Sequence, residues 1–451
     1  MNAAALILAA GAGTRMKSSK PKVAHEIMGK PLVRWVVDAA HGAGLSKLVA
    51  VVGHGREQVE PLLKDVSVVV QEEQLGTAHA VNVAREALLG ECDSLVVLTG
   101  DSPLVTSETI AKLVSLREER AAGVVVLTMQ AEDPTGYGRI VRDAEGQVAA
   151  IVEQKDCTPE QALITECNSG FYCFDTKLLF DALTEVSTDN AQGEYYLTDV
   201  LAIARAKGRE VLGLLAADKD ECLGVNSRRQ LAQATKSLQR RINGKHMDAG
   251  VTFWDPDTCW IGPDVEIAPD VEILPQTIIV GSSKIGSGTV VGPCSRLTDT
   301  VVGADCVIDE TVAIEAIIDD EVECGPRAYL RPQTHMCKGS KAGTHVEIKK
   351  STIGEGSKVP HLSYIGDCTM GSGVNIGAGS ITCNYDGVKK WPTVIEDDVF
   401  VGSDTMMVAP VKLGRHCLVA AGSVVTKDAS PESLILARAR QVEKEGWNEG
   451  K

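Results

Sequence analysis

The chain has 451 residues, 44% of them hydrophobic and only 4% aromatic, so it should fold as two or three domains with cores of Val, Ile, Leu and Ala. A formal net charge of −16 argues against a general nucleic-acid or acidic-membrane binder, and leaves any phosphate site to a few local cations and backbone N–H groups. The 13 cysteines include no Cys-x-x-Cys pair and no Cys/His set at zinc-finger spacing; this argues against disulfides and metal alike and points to buried thiols in a reducing cytosol.

The apolar start, Ala3 to Ala10, lacks a basic segment before it and runs straight into a glycine turn, unlike a signal peptide. No stretch is long and apolar enough to span a bilayer, and the protein reads as cytoplasmic. Five short apolar runs read as buried strands: Ala4–Ala10, Leu48–Gly53, Ser67–Gln71, Ser94–Gly100 and Val124–Met129. Pro31–Ala43, Thr77–Leu88 and Ser107–Ala121 read as the helices between them, which predicts a doubly wound α/β domain over 1–226. A polar helix follows over Ser227–Met247, with Leu231, Leu238 and Ile242 as a narrow apolar stripe, and reads as a connector over 227–247.

From residue 248 a second domain runs to 451, and after residue 258 its period becomes six. Ile261-Gly262, Ile267-Ala268, Ile273-Leu274, Ile279-Val280, Ile285-Gly286 and Val291-Gly292 repeat one aliphatic residue followed by a neighbour. The phase returns at Val302-Gly303, Ile353-Gly354, Ile365-Gly366, Val401-Gly402 and Leu413-Gly414. Such a repeat marks a parallel β-helix, with one short strand and one tight turn per repeat. Breaks near Tyr329–His345 and Thr382–Pro392 predict two loops leaving the coil.

Gly11 and Gly13 follow the first strand and allow a turn whose N–H groups face an anion. No Gly-Lys-Ser/Thr follows, and Met16 stands where a dinucleotide fingerprint needs its third Gly or Ala, so the turn alone could be a plain tight turn. Arg15, Lys20 and Lys22 beside it suit a triphosphate or a leaving pyrophosphate. Asp101 ends an apolar strand, placed either to hold Mg²⁺ or to cap the next helix.

These residues, with Gln71-x-x-Gln-Leu-Gly76-Thr77, Gly136-Tyr137-Gly138-Arg139 and Asn168-Ser169-Gly170, resemble a sugar-nucleotide pyrophosphorylase. Over residues 4 to 447 the chain resembles the bifunctional bacterial enzymes that join N-acetylglucosamine-1-phosphate uridylyltransferase to glucosamine-1-phosphate N-acetyltransferase. The resemblance implies that Leu8, Ala9, Ala10, Gly11, Lys22, Gln71, Gly76, Thr77 and Thr99 line the uridine nucleotide, and that Gly138, Glu153 and Asn168 hold the sugar. It implies Mg²⁺ on Asp101 and Asn226, with Arg15 and Lys22 neutralising charge as UTP loses pyrophosphate. Ala12 departs from the pattern, standing where several relatives carry Lys.

Acetyl transfer to a sugar amine needs that amine neutral, and an imidazole with pKa about 6.5 suits the proton removal. His361 is the candidate, lying between coil repeats with Arg331 and Lys349 nearby in sequence. The resemblance assigns it the same role, with Glu347 as a possible orienting group. It further implies that Arg331, Lys349, Tyr364 and Asn375 bind glucosamine-1-phosphate. Ala378, Asn384, Tyr385, Ser403, Ala421 and Arg438 are implied to bind acetyl-CoA. Val359-Pro360, where relatives often have Ala-Gly, and His345 are departures. A left-handed coil, a homotrimer with acetyl-CoA between subunits, and a product feeding peptidoglycan and lipopolysaccharide precursors are likewise implied. Two rivals are a uridylyltransferase whose coil only assembles it, and a non-catalytic scaffold; the intact His361–Tyr364 segment and the set Arg15, Lys22, Asp101 and Asn226 speak against them.

Overall fold

Each of the five apolar runs forms its strand in the computed structural model, which describes residues 2–449: Ala3–Ala9, Lys47–Val52, Ser67–Val70, Ser94–Thr99 and Val124–Gln130. The inner strands are buried on both faces because helices cover both, as a parallel sheet requires, whereas the edge strand Ser67–Val70 is only partly buried. Helices Leu32–Gly42 and Ser107–Arg120 fall where the periodicity puts them, the second capped by the Thr106 hydroxyl accepting from Thr109 N. The predicted helix Thr77–Leu88 is two pieces, Thr77–Asn82 and Arg85–Leu88, because Ala84 sits at φ −88° and ψ 3° and bonds back to Val81 O.

The sheet order is Val211–Leu215, Val124–Gln130, Glu166–Asp175, Ser94–Thr99, Ala3–Ala9, Lys47–Val52, Ser67–Val70. Glu166–Asp175 runs antiparallel to both neighbours and carries a register shift between Asn168 and Tyr172. From Ala3–Ala9 the chain winds outward through Lys47–Val52 to Ser67–Val70, then returns to the other side of the first strand at Ser94–Thr99. That reversal opens a crevice at the carboxyl ends of Ala3–Ala9 and Ser94–Thr99, where α/β sheets bind ligands.

Helix Arg228–Asp248 forms as expected, and the chain divides into two compact units between its Leu238 and Gln239. Leu238 of the apolar stripe is buried and Ile242 packs on the coil core, but the buried face also takes in two polar residues. Leu231 is only partly buried, whereas Gln239 and Asn243 are buried completely. Gln239 Nε2 donates to Cys259 O at 2.6 Å, and Asn243 Nδ2 to Pro256 O at 2.8 Å and Cys259 O at 3.0 Å. The two amides satisfy carbonyls at the opening turn of the coil, a need that hydrophobic periodicity does not register.

The second unit is a parallel β-helix with three sheets of 11, 10 and 9 strands, the arrangement of a left-handed coil of hexapeptide repeats. Successive repeats step from one sheet to the next, so every third aliphatic stacks in register: Ile261 on Ile279 on Leu297, and Ile273 on Val291 on Ile308. Each buried aliphatic contributes about 1.5–3 kcal/mol by leaving water. The break expected near Tyr329–His345 is not a loop. Leu330, Met336, Ala342 and Ile348 keep the six-residue step, all fully buried, and Met and Ala had disguised the pattern. The second break is real: the chain leaves the coil after Cys383, closes a bridge between Tyr385 and Lys390, and returns at Thr393.

Candidate active sites

The crevice of the first unit is a cavity of about 310 Å³. Leu8, Ala9, Ala10, Gly11, Lys22, Gln71, Gly76, Thr77, Thr99 and Asp101 all line it. Gln74, part of the Gln71-x-x-Gln-Leu-Gly76-Thr77 motif, lines it too, as does Glu194, given no role by the sequence; Gln74 Nε2 donates to Ala10 O at 2.7 Å and ties that loop to the glycine turn. At Gly76, φ is 113° and a Cβ would strike the Tyr195 backbone, so only glycine lets the two segments meet.

Lys22, Asp101 and Asn226 converge from three separate segments. Lys22 Nζ bonds both the Asp101 carboxylate and, at 2.8 Å, Asn226 Oδ1. Val225 N donates to Asp101 O at 2.9 Å, and Asn226 N donates to Gln230 Oε1 at 2.9 Å, so both carriers are fixed by backbone bonds. One ammonium therefore shows that a carboxylate and an amide oxygen face a single cation position, a donor set that fits Mg²⁺. Arg15 is exposed on the short turn Thr14–Met16 and is not among the cavity-lining residues.

The sugar-site residues form a second group. Asn168 N donates to Gly138 O at 2.9 Å, and a Cβ on Gly138 would lie 3.4 Å from Glu153 Oε1. Asn168 Nδ2 donates to Tyr172 Oη at 2.7 Å, while its Oδ1 accepts from Gly170 N at 3.0 Å. Burial, then Asp156 and Asp199, push the Glu153 carboxyl above the usual carboxylate range. Gly170 packs by Thr99, which brings this group to the strand end that lines the cavity.

In the coil, one corner repeats a single turn in which a left-handed residue follows the one that ends the rung. His345, Leu362, Gly379, Asp404 and Gly422 are those left-handed residues, at φ between 54° and 76° except Leu362 at 48°. Thr344, His361, Ala378, Ser403 and Ala421 precede them in turn. Leu362 N bonds Thr344 O, Asp404 N bonds Ala378 O, Gly422 N bonds Ser403 O, and Arg438 donates to Ala421 O at 2.7 Å. His361 is thus exposed at the same corner as Ala378, Ser403 and Ala421. His345, odd in sequence, fills the turn position that Leu362 fills one rung on.

The neighbouring face carries Arg331, Lys349 and Tyr364. Lys390, missed in the sequence, is returned to it by the loop; its ammonium beside Lys349, with burial and Arg331, lowers the Lys349 pKa. A cluster of like charges on an open face suits a phosphate. Glu347 does not orient His361: its carboxylate accepts from Arg331 at 2.7 Å. Tyr364 lies across Gly366, where a Cβ would strike both the Tyr364 hydroxyl and the Asn384 amide. Asn384 Nδ2 donates to Asp367 Oδ2 at 2.7 Å, and Asp386 ties the loop by accepting from Val388 N, Lys389 N and Trp391 Nε1 at 2.6–2.8 Å. Asn375 stands between Lys358 and Phe400 on the sheet that contains the strand Lys358–His361.

Residues 5–218 match the MobA-like NTP transferase domain, and 392–427 match the hexapeptide repeat of succinyl-transferase. The bifunctional protein GlmU of Carboxydothermus hydrogenoformans is 50% identical over 98% of this chain and 99% of its own. Those of Caldanaerobacter subterraneus subsp. tengcongensis and Heliobacterium modesticaldum are each 49% identical over 98% of this chain and 97% of their own. Two sites on two folds, and relatives aligned nearly end to end, agree: the chain belongs to the bifunctional GlmU family, enzymes with uridylyltransferase and acetyltransferase activity in UDP-N-acetylglucosamine synthesis.

Proposed function

We propose that residues 248–451 acetylate glucosamine-1-phosphate from acetyl-CoA, and that residues 1–226 then couple the N-acetylglucosamine-1-phosphate to UTP, with 227–247 as the connecting helix. The observation that carries this reading is the separation of two chemistries: a cation position framed by Lys22, Asp101 and Asn226, and a histidine set at a repeated coil corner beside a cationic face.

In the first site a sugar-phosphate oxygen attacks the α-phosphorus of UTP, and the bond to the β-phosphate breaks with pyrophosphate leaving. Asp101 and Asn226 would hold Mg²⁺, which would supply charge neutralisation. Lys22 moves its ammonium to the phosphates, Arg15 adds a second cation from the turn, and Leu8 to Gly11 with Gln71, Gly76, Thr77 and Thr99 hold the nucleotide. Gly138, Glu153 and Asn168 orient the sugar.

In the second site Arg331, Lys349, Tyr364 and Asn375 hold the sugar phosphate while His361 takes a proton from the attacking amine. The C–S bond of the thioester breaks, and the proton leaves with the coenzyme thiol. Ala378, Asn384, Tyr385, Ser403, Ala421 and Arg438 hold acetyl-CoA. Phe400, Leu418 and Leu434, exposed and paired in register along one sheet, support assembly of the coil as a homotrimer. All 13 cysteines are free, which supports a reducing cytoplasmic setting; no helix among the described residues is long and apolar enough to cross a membrane.

The test is a pair of variants assayed separately for each reaction. Asp101→Ala should lose uridylyl transfer and keep acetyl transfer, and His361→Ala the reverse. Loss of both activities in either folded variant would overturn the two-site reading.

A further inference from the structure

The coil brings together three ligating side chains of different chemistry that neither proposed active site uses. His335 and Cys337 flank Met336, whose side chain is fully buried, so the strand's alternation turns both of them outward. Asp319 sits one rung earlier. Ile317 pairs with His335 and Ile318 with Met336, and Asp319 N bonds Met336 O at 2.9 Å, which sets Asp319 beside Cys337. His335 Nε2 and Asp319 Oδ2 are 3.0 Å apart, and the ligand atoms of Asp319, His335 and Cys337 all lie within 4.8 Å of one another.

We propose that Asp319, His335 and Cys337 form a site for a divalent cation of the zinc class. One nitrogen, one sulfur and one oxygen ligand suit Zn²⁺ and its neighbours, whereas Mg²⁺ and Ca²⁺ prefer oxygen alone. Three protein ligands leave a fourth tetrahedral position for water or an outside donor. Tetrahedral ligation at about 2.0 Å spaces N and O ligands by about 3.3 Å, so His335 and Asp319 need open only slightly to admit the ion.

The setting favours a cation. Cys337 would bind the ion as its thiolate, so the ion would displace the thiol proton as it binds. Among the surrounding groups Asp320 is engaged by Ala304 N at 2.8 Å, and Lys338, next to Cys337 in the chain, is drawn off to Glu321 at 3.0 Å. The Asp319 backbone is held in place by the Cys306 thiol, which donates to its carbonyl at 3.1 Å. Spacing along the sequence hid the site: the coil's register, and not a Cys/His motif, brings Asp319 to the other two.

The experiment titrates the full chain, saturated with Mg²⁺, with Co²⁺ as a spectroscopic stand-in. A thiolate-to-Co²⁺ charge-transfer band should saturate at one equivalent with release of about one proton. The band should vanish in Cys337→Ser, weaken at least about 10-fold in affinity in His335→Ala and Asp319→Asn, and be unchanged in Cys294→Ser, which removes the exposed thiol. The oxygen donors Asp101 and Asn226 cannot give such a band. As a second readout needing no variant, Zn²⁺ should protect Cys337 from alkylation, followed on its peptide by mass spectrometry. No band at stoichiometric Co²⁺, a band surviving Cys337→Ser, or Cys337 alkylated equally fast with and without Zn²⁺ would overturn the site.

Discussion

Lys22 Nζ lies 2.8 Å from Asn226 Oδ1 and also bonds Asp101, so the ammonium occupies the position where a metal ion on those two residues would sit. On the proposed function, Lys22 would compete with Mg²⁺ for that position until a triphosphate draws it away. Lys22→Ala should lower uridylyl transfer by about 10²–10³-fold, the usual loss for one charge-stabilising group. In the nucleotide-free chain the same variant should bind Mn²⁺ more tightly, measured by calorimetry. Weaker metal binding in Lys22→Ala would show that the lysine supports the metal position and does not compete for it.

Gly366 gives room for the Tyr364 ring and the Asn384 amide. Gly366→Ala must push one of them aside, which on the proposed function displaces a sugar-phosphate residue or the base of the acetyl-CoA loop. The expected result is a KM for glucosamine-1-phosphate or acetyl-CoA raised about 10-fold or more, with uridylyl transfer unchanged. Unchanged kinetics in both reactions would mean that Tyr364 has no part in binding.

Lys390 lowers the pKa of Lys349 by like-charge repulsion. Lys349 is charged below that lowered pKa and loses its charge as pH rises through it, so glucosamine-1-phosphate affinity should fall on the alkaline side. Lys390→Ala should weaken binding near neutral pH by about 1–3 kcal/mol, the cost of one charge-assisted bond, while shifting the Lys349 pKa upward. Titration of the Lys349 side chain by NMR reads the shift; a Lys349 pKa that stays put or falls would contradict the pairing.

Gln239→Ala strips a fully buried amide from Cys259 O, and Asn243→Ala does the same from Pro256 O. Cys259 O keeps one amide donor in either variant, so each should destabilise the coil by about 0.5–1.5 kcal/mol through the hydrogen bonds lost, measured by denaturant unfolding. Leu231→Ala, on a partly exposed residue, should cost less. A reversed order would show that the apolar stripe, and not the amides, holds the helix.

How far the sequence carried the structure depends on what kind of signal each residue leaves. Ile261 through Val291 announce the coil because the same steric demand recurs every sixth residue. Met336 and Ala342 meet that demand as well, yet their types break the written pattern, and an unbroken stretch of coil read as a loop. Motif residues such as Thr99 and Asp101 could be placed because they end a strand at a sheet reversal. Glu194, Lys390 and Gln74 act through the paths of loops, which no periodicity encodes. Glu347 was misread because its nearness to His361 in sequence hides that the two lie on different sheets, Glu347 beside Tyr329 and Tyr364, His361 beside Thr344.

The central claim, two coupled activities in one chain, is tested most directly by supplying glucosamine-1-phosphate, acetyl-CoA, UTP and Mg²⁺, and following coenzyme thiol and pyrophosphate separately. Both should appear, with pyrophosphate requiring acetyl-CoA unless N-acetylglucosamine-1-phosphate is supplied. If acetylated sugar phosphate yields pyrophosphate but thiol never forms, the coil is a scaffold and the account of His361 is wrong.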